Sequence, residues 1–169
     1  MTSRRSLMTG LLVAVSVLLA SNKGETAAPL RPRVHLYVLL GFANNSPGLS
    51  EFGSRMESQG IPTTVASYSD ASSLAQQAVE LYKGGALRSI LIVGHSYGGR
   101  AAAEMASRLG ESGVPVRLMV TFDPTGGVRV PRNVRRAVNF VPIGREDHYS
   151  VIAAHLRAVT GYVLREARS

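Results

Sequence analysis

The chain of 169 residues has no cysteine and no tryptophan. Without cysteine there is no disulfide, no thiolate metal site and no cysteine nucleophile. The redox compartment stays open, because an oxidising one poses no pairing problem to such a chain. Acidic residues are also scarce, 11 against 19 Lys and Arg, giving a net charge of +8 carried almost wholly by arginine. The densest basic cluster is Arg129, Arg132, Arg135 and Arg136. No aromatics interleave with it, and no helix-turn-helix, zinc or RNA-binding signature accompanies it, so no nucleic-acid partner is expected. It reads as a solvated basic face, of the kind that also lies near anionic lipid. The four histidines (His35, His95, His148, His155) show neither H-x-x-x-H nor H-E-x-x-H spacing, so no metal site and no cofactor is implied.

What is present suits one folded domain. Hydrophobic residues make up 45% of the chain, enough for a core and too many for a disordered protein. The first thirty or so residues are different in kind. Arg4 and Arg5 precede an unbroken apolar run from Leu11 to Ala20, and polar Ser21-Asn22-Lys23-Gly24-Glu25 follows. That run has the length of a signal-peptide core and is short for a membrane span. Leu18 stands where a cleavage site prefers a small residue, and cleavage after Ala28 would leave Pro29 first. Residues 1–28 are therefore expected to be an export signal or a retained N-terminal anchor offering membrane association. The alternative is a helix of the globular domain. The folded domain is expected over 33–169, outside the cytoplasm.

From Val34 onward, strand-like and helix-like segments alternate. Val34–Leu40, Thr63–Ala66, Ser89–Val93, Pro115–Phe122 and Ala137–Val141 are apolar or β-branched runs. Between them, Leu49, Phe52 and Met56 recur at helical spacing. So do Leu74, Ala75, Ala78, Val79 and Tyr82, then the Arg100–Leu109 stretch. Val151–Arg165 is a final amphipathic helix. This order predicts an α/β three-layer sandwich with a mainly parallel sheet of about five strands.

The most informative residues are Gly94-His95-Ser96-Tyr97-Gly98, with a further glycine at Gly99. Strand, G-x-S-x-G, helix is the arrangement of a nucleophile elbow. The turn is so tight that the positions two before and two after the serine must be almost free of side chain. Its tip exposes the Ser96 hydroxyl and aims the Tyr97 N–H where an oxyanion would form.

A serine hydroxyl is a weak nucleophile at neutral pH and needs a base, which in turn needs a carboxylate to hold its tautomer. Ligands bind at the carboxyl ends of parallel strands, where Ser96, Asp123 and His148 fall in that chain order. Asp123 closes its strand in Phe122-Asp123-Pro124, and His148 lies just before the last helix. Glu146 and Asp147 rival Asp123, but they adjoin the histidine too closely in sequence. His155 is the alternative base, seven residues along the same helix face. His35 is expected to pack within its strand, and His95 to be held in the elbow. Gly41-Phe42, after the first strand, offers the second oxyanion donor through the Phe42 N–H, and Gly41, Phe42 and Tyr97 are the expected substrate contacts. Phe42, Tyr68, Tyr97 and Tyr149 line the expected mouth and favour an apolar acyl group.

On these residues the chain resembles the α/β-hydrolase superfamily from about Val34 to Val163. The elbow is close to the G-H-S-x-G-G form of lipases, esterases and thioesterase domains. Leu40-Gly41-Phe42 with Ser46-Pro47-Gly48 resembles the oxyanion loop of small bacterial members. Thr121–Thr125 and Val130–Val134 resemble lipase-like and thioesterase-like members. The resemblance implies a minimal α/β-hydrolase fold and acyl transfer to water through an acyl-serine, with a carboxylic ester or thioester as substrate. The chain is short for the superfamily, so the opening antiparallel strands are expected to be missing. The dozen or so residues after Asp123 leave no room for a substantial lid. The alternative function is a catalytically inactive binding protein of the cell envelope on the same scaffold.

Overall fold

The computed structural model describes residues 33–169. The expected signal or anchor at 1–28 lies outside the described residues. Five strands form one sheet: β1 (Val34–Leu40), β2 (Thr63–Ser67), β3 (Ser89–His95), β4 (Val116–Phe122) and β5 (Val134–Phe140). Four α-helices connect and flank them: α1 (Leu49–Ser58), α2 (Ala71–Lys83), α3 (Tyr97–Glu111) and α4 (Ser150–Arg168). Single 3₁₀ turns at Phe42–Asn44 and Tyr68–Asp70 follow β1 and β2. The strand order is β2-β1-β3-β4-β5, and every pair is parallel.

Alternation along the strands divides the core in two. Leu36, Val38, Leu91, Val93, Leu118 and Val120 face α1 and α4, where Leu49, Phe52, Met56, Val151 and Val159 meet them. Tyr37, Leu39, Ile90, Ile92 and Met119 face α2 and α3, meeting Leu74, Ala78, Ala102, Met105 and Leu109. A strand buried on both faces is apolar at nearly every position, which is why the middles of β1, β3 and β4 read as hydrophobic runs. Each fully buried Leu or Ile stabilises the fold by roughly 1.5–3 kcal/mol relative to exposure.

The largest boundary differences from the sequence reading lie in the last strand and the last helix. The last strand begins at Val134 rather than Ala137, through Arg135 and Arg136. β5 is an edge strand, so its side chains need cover on one face only. Arg136 finds that cover on α4, with its guanidinium 4.4 Å from the Tyr162 ring centre and 3.6 Å from the Glu166 carboxylate. The last helix continues to Arg168, past Arg165.

Candidate active site

The chain leaves β1 toward β2 on one side and takes up β3 on the other. The loops after β1 and β3 therefore part at their carboxyl ends, the point at which open parallel sheets form a binding crevice. The loop after β1 carries Gly41 and Phe42, and the loop after β3 carries Ser96.

Ser96 stands between β3 and α3 with φ 56° and ψ −121°, a backbone conformation that L residues rarely adopt. The flanking glycines explain how this is tolerated. A Cβ on Gly94 would strike the Gly98 carbonyl, and one on Gly98 would strike the Leu39 carbonyl. On Gly99 it would lie 2.8 Å from the Pro124 ring. The elbow is fastened to β4 by Ser96 N–H donating to the Phe122 carbonyl at 2.9 Å. Thr125 N–H donates back to the Ser96 carbonyl at 3.2 Å. As the first residue of α3, Tyr97 has no helical acceptor for its N–H and finds none outside the helix among the described residues. The Ser96 hydroxyl itself pairs with the Thr125 hydroxyl at 3.3 Å, not with His148. Thr125 carried no signal in the sequence beyond its place two residues after Asp123.

Asp123 and His148, separated by 25 residues, do meet: Asp123 Oδ2 lies 2.6 Å from His148 Nδ1. Asp123 has φ 37°, a second strained position at a strand end. Its N–H donates to the Phe140 carbonyl at 2.7 Å, which fixes the turn to β5. The rival carboxylates are occupied elsewhere. Asp147 Oδ1 accepts the N–H groups of Tyr149 and Ser150, each at 2.8 Å, at the start of α4. Those two bonds, Ser150 first, hold its carboxyl below the usual range. Glu146 contacts His155 Nε2 at 3.4 Å and accepts the Ile143 N–H at 3.2 Å, bracing the loop before α4. His155 stacks on Phe140 with ring centres 4.3 Å apart. His35 is within β1 as expected, bonded to Thr64 at 2.8 Å and kept from protonating chiefly by burial.

Gly41 abuts Ser96: a Cβ there would lie 3.2 Å from Ser96 Cβ and 3.3 Å from His95 Nδ1. The loop continues through Ala43 and Asn44 at φ 51° and 59°, and the Phe42 N–H meets no backbone acceptor among the described residues. The Phe42 side chain is 68% exposed, and Tyr97 and Tyr149 are 42% and 45% exposed. Tyr97 lies between Phe42 and Tyr68, tilted against both, with ring centres 6.2 and 5.3 Å away. These rings form an apolar wall that runs into a small groove lined by Tyr68, Tyr97, Arg100, Ala101 and Glu104.

One part of the site was not visible in the sequence. His95 is completely buried and Ser46 nearly so. Gly41 N–H donates to Ser46 Oγ at 2.9 Å, and Ser46 Oγ lies 2.9 Å from His95 Nδ1. His95 Nε2 lies 2.8 Å from the His148 carbonyl oxygen. Among the described residues no three His, Cys, Asp or Glu side chains group as metal ligands.

No protein-family model and no curated protein matches this chain. Solved structures do. An acetylxylan esterase is similar with a TM-score of 0.55 at 15% identity, over 80% of this chain and 99% of that one. The type II thioesterase BorB from the borrelidin biosynthetic cluster is similar with a TM-score of 0.55 at 12% identity, over 85% of this chain and 95% of that one. An iodinated acetylxylan esterase complex gives 0.52 at 14% identity, over 80% of this chain and 99% of that one. This chain has the fold of those proteins, a three-layer α/β sandwich around a parallel five-stranded sheet.

Proposed function

We propose that the protein is a serine hydrolase that cleaves a carboxylic ester or thioester through an acyl-serine intermediate. The observation that carries this reading is the 2.6 Å pair between Asp123 Oδ2 and His148 Nδ1 at the mouth of a strained serine turn. A carboxylate on Nδ1 fixes the tautomer whose Nε2 is bare and basic. In the reaction the Ser96 hydroxyl leaves Thr125 and gives its proton to His148 Nε2 as Oγ attacks the acyl carbon. The oxyanion takes the N–H groups of Tyr97 and Phe42. Collapse expels the alcohol or thiol, which receives the proton from His148. Water, deprotonated by the same nitrogen, then attacks the acyl-serine, and His148 passes that proton to Ser96 Oγ as the carboxylic acid leaves. The esterase and thioesterase activities of the structural neighbours support the substrate class. The exposed wall of Phe42, Tyr97 and Tyr68 supports an apolar acyl group. The domain is proposed to work after export, on the strength of Arg4, Arg5 and the apolar run that follows.

Turnover of a short p-nitrophenyl ester and of an acyl thioester by the protein and by Ser96→Ala tests the proposal. Hydrolysis by the parent and none by the variant is expected. The second reading is an inactive binding protein, and the Ser96–Thr125 hydrogen bond is the observation in its favour. Absence of turnover with both substrates supports that second reading.

A further inference from the structure

The hydrogen-bond chain through His95 has only one consistent assignment of protons at that ring. The His148 carbonyl can only accept, so His95 Nε2 carries the hydrogen. In the neutral ring Nδ1 is then an acceptor, and the Ser46 hydroxyl donates to it. Ser46 Oγ in turn accepts the Gly41 N–H. Burial is the main cause that lowers the pKa of this ring; the bond to the His148 carbonyl works against it, the nearby His148 ring adds to the lowering, and the Asp123 charge opposes it. Each link of the chain, from the Gly41 N–H through Ser46 Oγ and both His95 ring nitrogens to the His148 carbonyl, has its partner, in a region where an unmade bond costs about 1–3 kcal/mol.

The two ends of this chain belong to opposite sides of the site. Gly41 opens the loop that presents the Phe42 N–H. His148 is the residue whose ring pairs with Asp123. The two rings, His95 and His148, lie with centres 4.6 Å apart. His95 itself sits on the last position of β3, a strand buried throughout its length, and so cannot shift without the sheet.

We propose that His95 is a positioning residue that ties the oxyanion loop after β1 to the loop carrying the base, setting the distance between them. This rests on Ser96 being the nucleophile of a hydrolase, but its structural half stands apart from that reading. His95 touches no reacting atom in this role. It acts through Ser46 on the Gly41–Phe42 peptide, and through the His148 carbonyl on the base. A histidine fits because its two ring nitrogens present one acceptor and one donor on a rigid frame spanning both partners. Removing a whole oxyanion donor costs about 10²–10³ in kcat, and a donor merely displaced should cost less.

Ser46→Ala, His95→Asn and the double variant test the proposal. The shorter amide of His95→Asn keeps a polar atom near Ser46 and loses the reach to the His148 carbonyl. Ser46→Ala is expected to lower kcat about tenfold with KM little changed, and to move the pH midpoint of kcat/KM less than His95→Asn does, because the base keeps its own bond to His95 while the oxyanion side loses its link. His95→Asn is expected to lower kcat and also to move that midpoint, because the base loses its tether. The double variant is expected to lie close to His95→Asn alone, because one shared chain is cut twice. Ring-nitrogen NMR of the parent supplies a readout that needs no turnover. His95 should be the Nε2–H tautomer, and the His148 ring signals should move in Ser46→Ala although the two residues do not touch. Folded single variants with parent kcat and parent pH midpoint would overturn the proposal. So would an Nδ1–H tautomer for His95, or His148 signals unmoved by Ser46→Ala. If His95→Asn does not fold, Ser46→Ala and the NMR tautomer decide. A parent protein that turns over neither ester nor thioester removes the hydrolase reading, and the NMR outcome then decides the tether alone.

Discussion

Asp123 Oδ2 and His148 Nδ1 lie 2.6 Å apart although 25 residues separate them. Asp123 reaches this position by ending β4 at φ 37°, and His148 by standing just ahead of α4. Replacing Asp123 with Asn keeps the shape but lets the amide favour the wrong histidine tautomer. We expect Asp123→Asn to lower kcat by roughly 10³–10⁴, as loss of the orienting carboxylate does in serine hydrolases generally. Asp147→Asn should leave kcat within a few-fold of the parent. Steady-state kinetics on both variants checks this, and equal losses would transfer the orienting role.

Asp147 has a different task, which pH reveals. Its carboxyl is held below the ordinary value of 3.8 in the folded state by the Ser150 and Tyr149 N–H groups. A depressed folded pKa contributes stability that is present above the unfolded value and is lost as pH falls through the folded one. Asp147→Asn should therefore have a lower Tm than the parent at pH 7, with the gap closing as pH drops below about 4. Thermal melts across that range measure it.

His95 gives the opposite residue type with a related consequence. Burial lowers its folded pKa below 6.5, so the unfolded chain binds the proton more readily. Stability should fall as pH drops from about 6.5 toward the folded pKa and level off below it. His35 is shifted the same way by burial, so the slope belongs to both rings. His95→Asn should flatten part of the Tm-against-pH curve, and an unchanged slope would show that His95 is not buried neutral.

The glycines divide by what stands next to them. Gly98→Ala places a Cβ on the Leu39 carbonyl and should destabilise by about 3 kcal/mol or more, if it folds at all. Gly161, inside α4, has open space around its Cβ position, so Gly161→Ala should stabilise by about 0.5–1 kcal/mol. Denaturant titration of both variants tests the opposite signs.

The sequence carried the fold well where burial on both faces leaves no choice of residue. β1 and β3 are legible for that reason, and the elbow because its glycines are sterically required. β5 was legible only in part. Its first residues, Val134-Arg135-Arg136, look like loop until Tyr162 and Glu166 of α4 are placed against Arg136. Ser96, Asp123 and His148 stand out in the sequence by their places at strand ends, and the structure brings Asp123 and His148 together. The Ser46–His95–His148 chain was not, since its links span 49 and 53 residues and no local pattern marks them. Thr125 was missed because a hydroxyl after Asp-Pro reads as an ordinary turn.

Export is checked separately from catalysis. A fusion of residues 1–32 to a reporter active only after export should give signal, and deletion of residues 1–28 should leave the domain folded. A silent reporter together with loss of folding would make the segment a structural helix.

The proposed role of Ser96 as a nucleophile activated by His148 and Asp123 is tested most directly by reaction with a fluorophosphonate probe, followed by mass spectrometry of the intact chain and its peptides. One adduct per chain is predicted, on Ser96, absent in Ser96→Ala and strongly slowed in Asp123→Asn. No adduct under conditions that label a control serine hydrolase, or an adduct on another residue that persists in Ser96→Ala, would contradict that role.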